Sequence, residues 1–169
     1  LADLALKTEF QLDAPVGKDV YGPDAESIMM GWKYPGATSD EALIAEVAAS
    51  VLYNGTAGLI DLNVNQQQKV LGAYGMPYTR PDAGELIIMA DPKQGQTLDE
   101  VRDIILEEVA KLRNGEFDEA LLAGTINNLK LSQMRKLESN DSRADMFVNS
   151  FINGTEWKDE VKKLDRMSL

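Results

Sequence analysis

Three features of the sequence predict an α+β fold, an antiparallel sheet covered by helices. Two strand-like runs, residues 71–78 and 85–90, are joined by the turn Arg80-Pro81-Asp82-Ala83-Gly84. A third run, residues 26–34, alternates, with Ile28, Met30, Trp32 and Tyr34 on one face and Met29, Gly31 and Lys33 on the other. From Thr97 onward the apolar residues recur at helical spacing.

Taken in order, residues 4–12 alternate in part (Leu4, Leu6, Thr8 and Phe10 against Ala5, Lys7 and Glu9) and read as an outer strand, and the Pro-, Gly- and Asp-rich residues 13–24 read as a loop. The strand over 26–34 stops at Pro35-Gly36. Ser39 caps a helix with Asp40 and Glu41 in its first turn and an apolar stripe of Leu43, Val47, Val51 and Leu52, which Asn54-Gly55 ends. Residues 58–68 read as a short helix with Leu59, Leu62 and Gln66 on one face, and the amides from Asn63 to Gln68 read as a solvated side.

The run Leu86-Ile87-Ile88-Met89-Ala90 is apolar on both parities, as in a covered central strand. Before it, Pro81 fixes one dihedral of the turn and Gly84 supplies the freedom that closes it. Thr97 and Glu100 form a capping box for a helix bearing Leu98, Val101, Ile104, Ile105, Val109 and Leu112, closed by Asn114-Gly115. Asp99, Glu100, Glu107 and Glu108 read as its wet side. A longer helix over 117–138 has Leu121, Leu122, Ile126, Leu129, Met134 and Leu137 on its apolar side, with Gly124 marking a close crossing. Asn140 or Asp141 caps the next helix, which carries Ala144, Phe147, Val148 and Phe151, and Thr155 caps a last one with Trp157, Val161 and Leu164.

Length and a 44% apolar fraction suit one domain over residues 1–169, and the start at Leu1 is read as that of a fragment of a longer protein. A net charge of −11 opposes binding to nucleic acid or to an anionic membrane surface. No apolar run is long enough to span a bilayer. The absence of Cys removes disulfides and thiol chemistry, and the absence of His removes the usual neutral-pH acid/base and zinc ligand. Carboxylates alone remain as ligands for calcium or magnesium.

The local candidates each have a plainer reading. Gly55-Thr56-Ala57-Gly58 could cradle phosphate before a helix, but no strand precedes it and no Lys follows, so a turn is favoured. Asp82 and Glu85 could form an acid/base pair if one were buried; as turn residues they read as solvated. Arg80, Arg135 and Arg143 could grip a carboxylate, or serve helix ends. Trp32, Tyr34, Tyr74 and Tyr78 could line a peptide-holding surface, or fill the core, and an open edge could add an extended peptide as a strand. Asn54, Asn140 and Asn153 match the glycosylation acceptor pattern, as turns and caps often do.

The order of strand, Pro-Gly, capped helix with Asn-Gly, then Gly58-Leu59-Ile60-Asp61-Leu62, strands, Asp99-Glu100-Val101 and Lys111-Leu112-Arg113-Asn114-Gly115-Glu116-Phe117 resembles the repeated domain of the insulinase/pitrilysin family of zinc metallopeptidases over residues 27–151. That resemblance implies a His-x-x-Glu-His zinc motif in the family's catalytic domain; this chain has no His, so it resembles the non-catalytic partner domain. The resemblance further implies zinc in a parent protein, a catalytic zinc domain of the same protein or of a partner subunit, and a peptide substrate. It assigns no catalytic, cofactor-binding or metal-binding residue to this chain. The expected function is enclosure and positioning of peptide, without bond chemistry of its own. The alternatives are a structural subunit of a larger assembly, as in respiratory-complex core proteins, and a carboxylate-based metal enzyme. Self-association of the fragment is also expected, through faces that otherwise meet other domains.

Overall fold

A computed structural model describes residues 13–166, so the expected outer strand over residues 4–12 lies outside the described residues. Three antiparallel strands, β1 (Ile28–Pro35), β2 (Gly72–Thr79) and β3 (Ala83–Asp91), form one sheet in the order β1-β3-β2. The run that is apolar on both parities is thus the central strand, as expected. Its register pairs Ile88 with Met30 on one side and Gly75 on the other. Helices α1 (Asp40–Leu52), α2 (Leu98–Asn114), α3 (Glu119–Glu138), α4 (Asn140–Asn153) and α5 (Trp157–Lys162) complete the fold, and α1 packs on the sheet and against α2 and α3.

The sheet has one covered face. Ile88 and Ala90 are 0% exposed and meet Val47, Val51 and Leu52 of α1, Val101 and Ile105 of α2, and Ile126 of α3 in a single core. Each such aliphatic side chain contributes about 1.5–3 kcal/mol on burial. The caps form where their residues stand. Ser39 Oγ accepts from Ala42 N (3.1 Å), and Thr97 and Glu100 bond reciprocally. Glu100 is thereby held below the usual carboxylate range, chiefly by the Thr97 backbone N–H. Gly115 closes α2 in the left-handed conformation.

Several expectations change. Gly84 has no left-handed backbone and sits inside β3; it is needed because the Tyr34 ring lies across it, where a Cβ would come within 1.9 Å of Tyr34 Cε2. The Tyr34 hydroxyl reaches on to share a 2.7 Å hydrogen bond with Thr79 Oγ1. Gly124 is exposed and a Cβ there would touch nothing within 4 Å, so it marks no crossing. Met134 of α3 is exposed. Ser139, not Asn140 or Asp141, caps α4, and Glu156, not Thr155, stands before α5.

The short helix after α1 is also built differently. Residues Asp61–Asn65 form a π-helical turn, with Gln66 N bonding Asp61 O and Lys69 N bonding Val64 O. The wider turn shifts the helical phase, so Leu59, Ile60 and Val64 are buried while Leu62 faces solvent. Asp61, only 5% exposed, anchors this segment. Its Oδ2 accepts from the backbone N–H groups of Asn54 (2.9 Å), Gly55 (3.1 Å) and Gly58 (2.9 Å). Gly58 permits this closeness, since a Cβ there would lie 2.5 Å from Leu52 O.

Replacing Asp61 by Ala leaves these donors without a carboxylate in a buried knot. The expected loss is about 3 kcal/mol of unfolding free energy, with Asp61→Asn intermediate because its amide nitrogen opposes the donors. Urea denaturation followed by circular dichroism checks both values.

Candidate functional site

The face of the sheet turned away from the helices is not used by the core. Alternation along the strands places its residues in cross-strand rows. Met29, Met89 and Tyr74 form one row, Gly31, Ile87 and Met76 the next, and Lys33, Glu85 and Tyr78 the third. Met29, Met76 and Tyr78 are 63%, 44% and 50% exposed. Gly31 adds no side chain, which leaves a dip beside Ile87 in the middle row. The Tyr74 hydroxyl donates to Met89 Sδ (3.3 Å), and the Arg80 guanidinium stands over the Tyr78 ring, 5.1 Å from its centroid.

The four aromatics considered together in the sequence therefore separate. Trp32 and Tyr34 lie on the covered face, and Trp32 packs against the core. Tyr74 and Tyr78 lie on the open one.

The two long sides of the sheet differ. At the start of β2, Asn65 occupies the place of a neighbouring strand: its Nδ2 donates to Ala73 O (2.7 Å) and its Oδ1 accepts from Ala73 N (2.9 Å). Further along, Pro77 has no N–H to offer. β2 is thus closed to strand addition at two points, and among the described residues β1 is the side where the ladder could extend. Asn65 was expected on a solvated face, and only its distance of eight residues from Ala73 connects the two in sequence.

Glu108 also departs from its expected wet side. It is 0% exposed, with Asn63 Nδ2 donating to Oε2 (2.7 Å) and Lys111 Nζ to Oε1 (2.7 Å). The hydrogen bond that Lys111 donates to Glu108 is the main cause that holds its ammonium above its ordinary value. The spacing Val101, Ile105, Glu108 repeats one helix face, which is the signal that places Glu108 inward.

The other candidates resolve into structure. The N–H groups of the Gly55-to-Gly58 turn are already taken, those of Gly55 and Gly58 by Asp61, and those of Thr56 and Ala57 by Asn54 Oδ1 (3.1 and 2.9 Å). No phosphate cradle is left. Asp82, in the turn, and Glu85, in β3, are both exposed carboxylates. Arg143 donates to Leu137 O (3.1 Å) and to Asn140 Oδ1, so it clasps the α3–α4 junction, while Arg135 stands in the last turn of α3. Among the described residues, no group of three or more His, Cys, Asp or Glu side chains is placed to hold a metal ion, and no helix is long and apolar enough to cross a membrane.

A cleft of about 300 Å³ opens between the start of α1 and residues 153–163. Within it, Lys163 Nζ donates to Glu46 Oε2 (2.9 Å) and lies 3.7 Å from Glu160. Burial opposes the Lys163 charge, but Glu46 and then Glu160 outweigh it and hold the ammonium above its ordinary value. These charges satisfy one another and supply no nucleophile–base pair.

Residues 6–129 match the family model described as the Peptidase M16 inactive domain. No curated protein matches the sequence. Among solved structures, a protease from Helicobacter pylori superposes with a TM-score of 0.75 at 16% identity, over 83% of this chain and 34% of that one. The inactive peptidase domain of a proposed zinc protease from Bordetella parapertussis gives 0.68 at 13% identity, over 86% and 81%. A chain of complex III from Candida albicans gives 0.65 at 15% identity, over 84% and 37%. At these identities the likeness is one of fold. The chain spans about a third of the length of the Helicobacter and Candida chains.

Two measurements follow. Asn65→Leu should raise the hydrogen-exchange rate of the Ala73 amide about 10- to 100-fold and lower stability by about 1–3 kcal/mol. For Lys163, a raised folded-state value means that stabilisation is present below the unfolded value of about 10.4 and is lost as pH rises through the folded one. The Tm advantage of the native chain over Lys163→Met should therefore be full at neutral pH and vanish in strong alkali, as thermal scans across that range would read.

Proposed function

The chain belongs to the family of inactive M16 peptidase domains, and from that premise we propose that it walls a substrate chamber and holds extended peptide against the open face of its sheet. Zinc and the general base lie in another domain of the parent protein or in a partner subunit. The observation that carries this reading is the open face itself. Its rows of Met29, Met76, Ile87, Met89, Tyr74 and Tyr78 offer a broad apolar and aromatic surface on a rigid sheet. Such side chains suit an unfolded polypeptide of varied sequence, since Met adapts its shape and Tyr contributes area at low entropic cost. The chain's contribution to catalysis is orientation and exclusion of water, which lowers the barrier without any proton or electron pair passing through its residues.

A second reading has one observation in its favour, the fold similarity to a chain of complex III. There the same body would serve as a structural part of a larger assembly. The two separate on the parent reading frame: a His-x-x-Glu-His motif elsewhere in it supports the peptidase role, and its absence supports the structural one.

The direct test is titration of the 169-residue chain with an unfolded peptide, followed by amide chemical shifts. Shifts should centre on Ile87, Met76 and Tyr78, with a Kd on the order of 1 mM for one isolated wall, and Ile87→Glu should abolish them. The peptide should stay intact with and without added zinc. Hydrolysis by the pure chain, or shifts confined to the helices, would overturn the proposal.

A further inference from the structure

Helix α4 turns its apolar side outward. Ala144, Phe147, Val148, Phe151 and Ile152 share one helical face and are exposed, Phe151 at 88%. The side directed inward carries Ser142, Met146, Ser150 and Asn153, and the Ser150 hydroxyl is buried without a hydrogen-bond partner. Phe147 is fixed by stacking on Trp157, with ring centroids 4.0 Å apart and planes 12° apart, so one edge of the stripe is rigid before anything docks.

We propose that this stripe is the interface of a homodimer in which two copies pack α4 against α4, antiparallel about a two-fold axis. Charge favours a second copy on this side of the molecule. Residues 1–118 carry nine Lys or Arg against 20 Asp or Glu, whereas residues 119–169 carry eight of each. The entire net charge of −11 thus belongs to the part of the chain that holds the sheet, α1 and α2. Two copies meeting through the sheet face would press like charges together; two meeting through α4 bring together regions of zero net charge.

Area agrees. The exposed parts of the five side chains amount to on the order of 500 Å² per copy, so pairing removes roughly 1,000 Å² from water, the lower bound for a specific contact. An antiparallel arrangement also sets the positive start of each α4 beside the negative end of the other.

Sedimentation equilibrium on the 169-residue chain tests this. A monomer–dimer equilibrium with a Kd on the order of 10 µM is expected. Phe151→Asp, at a site too exposed to affect folding, should weaken it about 30-fold or more, while Met76→Asp on the sheet face should change it less than about 2-fold. Raising NaCl from about 50 to about 500 mM should tighten the dimer, because screening removes repulsion between the acidic bodies; a dimer held by ion pairs would weaken instead. A chain that stays monomeric at about 200 µM overturns the proposal. So does a dimer that survives Phe151→Asp but is lost in Met76→Asp. A monomer whose α4 stripe binds a hydrophobic dye only after residues 1–12 are removed would assign the cover to the chain's own leading segment, and also overturns it.

Discussion

The carboxylate of Asp61 governs how the two halves of the fold meet. Three backbone N–H groups converge on one of its oxygens, and together they turn the chain from α1 into the π-helical segment within a few residues. A backbone that reverses so sharply beside the core would otherwise leave donors without partners, and buried donors are costly. Once the turn is closed, Leu59, Ile60 and Val64 enter the core and Asn65 arrives beside Ala73. A single carboxyl side chain thereby positions both a hydrophobic cluster and the amide that finishes the edge of the sheet.

Much of the scaffold was legible because its signals are local. Ser39, Thr97 with Glu100, and Gly115 sit within a few residues of the groups they cap, and the doubly apolar run at Leu86 to Ala90 announces a central strand. The polar anchors were not legible for the opposite reason. Asp61 bonds to backbone, which carries no sequence signature, and Glu108 meets Asn63 across 45 residues. Residues 58–68 misled through phase: a π turn advances the chain differently from an α turn, and Leu62, grouped with Leu59 by α-helical spacing, faces solvent while Ile60 and Val64 are buried.

The same limit applies to the surfaces. Parity correctly set Tyr74 and Tyr78 on one side of β2, but parity is silent on which side the helices cover. In α4 the amphipathic pattern is plain, yet a pattern states only that two faces differ. Which of them the chain's own core takes depends on α3 and α5, whose packing leaves the polar side of α4 inward. A sheet with one dry and one open face and a helix with its apolar side out leave the domain two exposed apolar surfaces. One lies on the acidic body and the other on the neutral helical end.

Asn65 and Pro77 give the sheet a handed character that bears on assembly. With β2 sealed at one end by a side-chain amide and interrupted further along by an imino acid, hydrogen-bonded growth past β2 is blocked. A margin closed in this way cannot be lengthened by a copy of the same sheet. On its β2 side the fold thereby resists the open-ended stacking that leads to fibres.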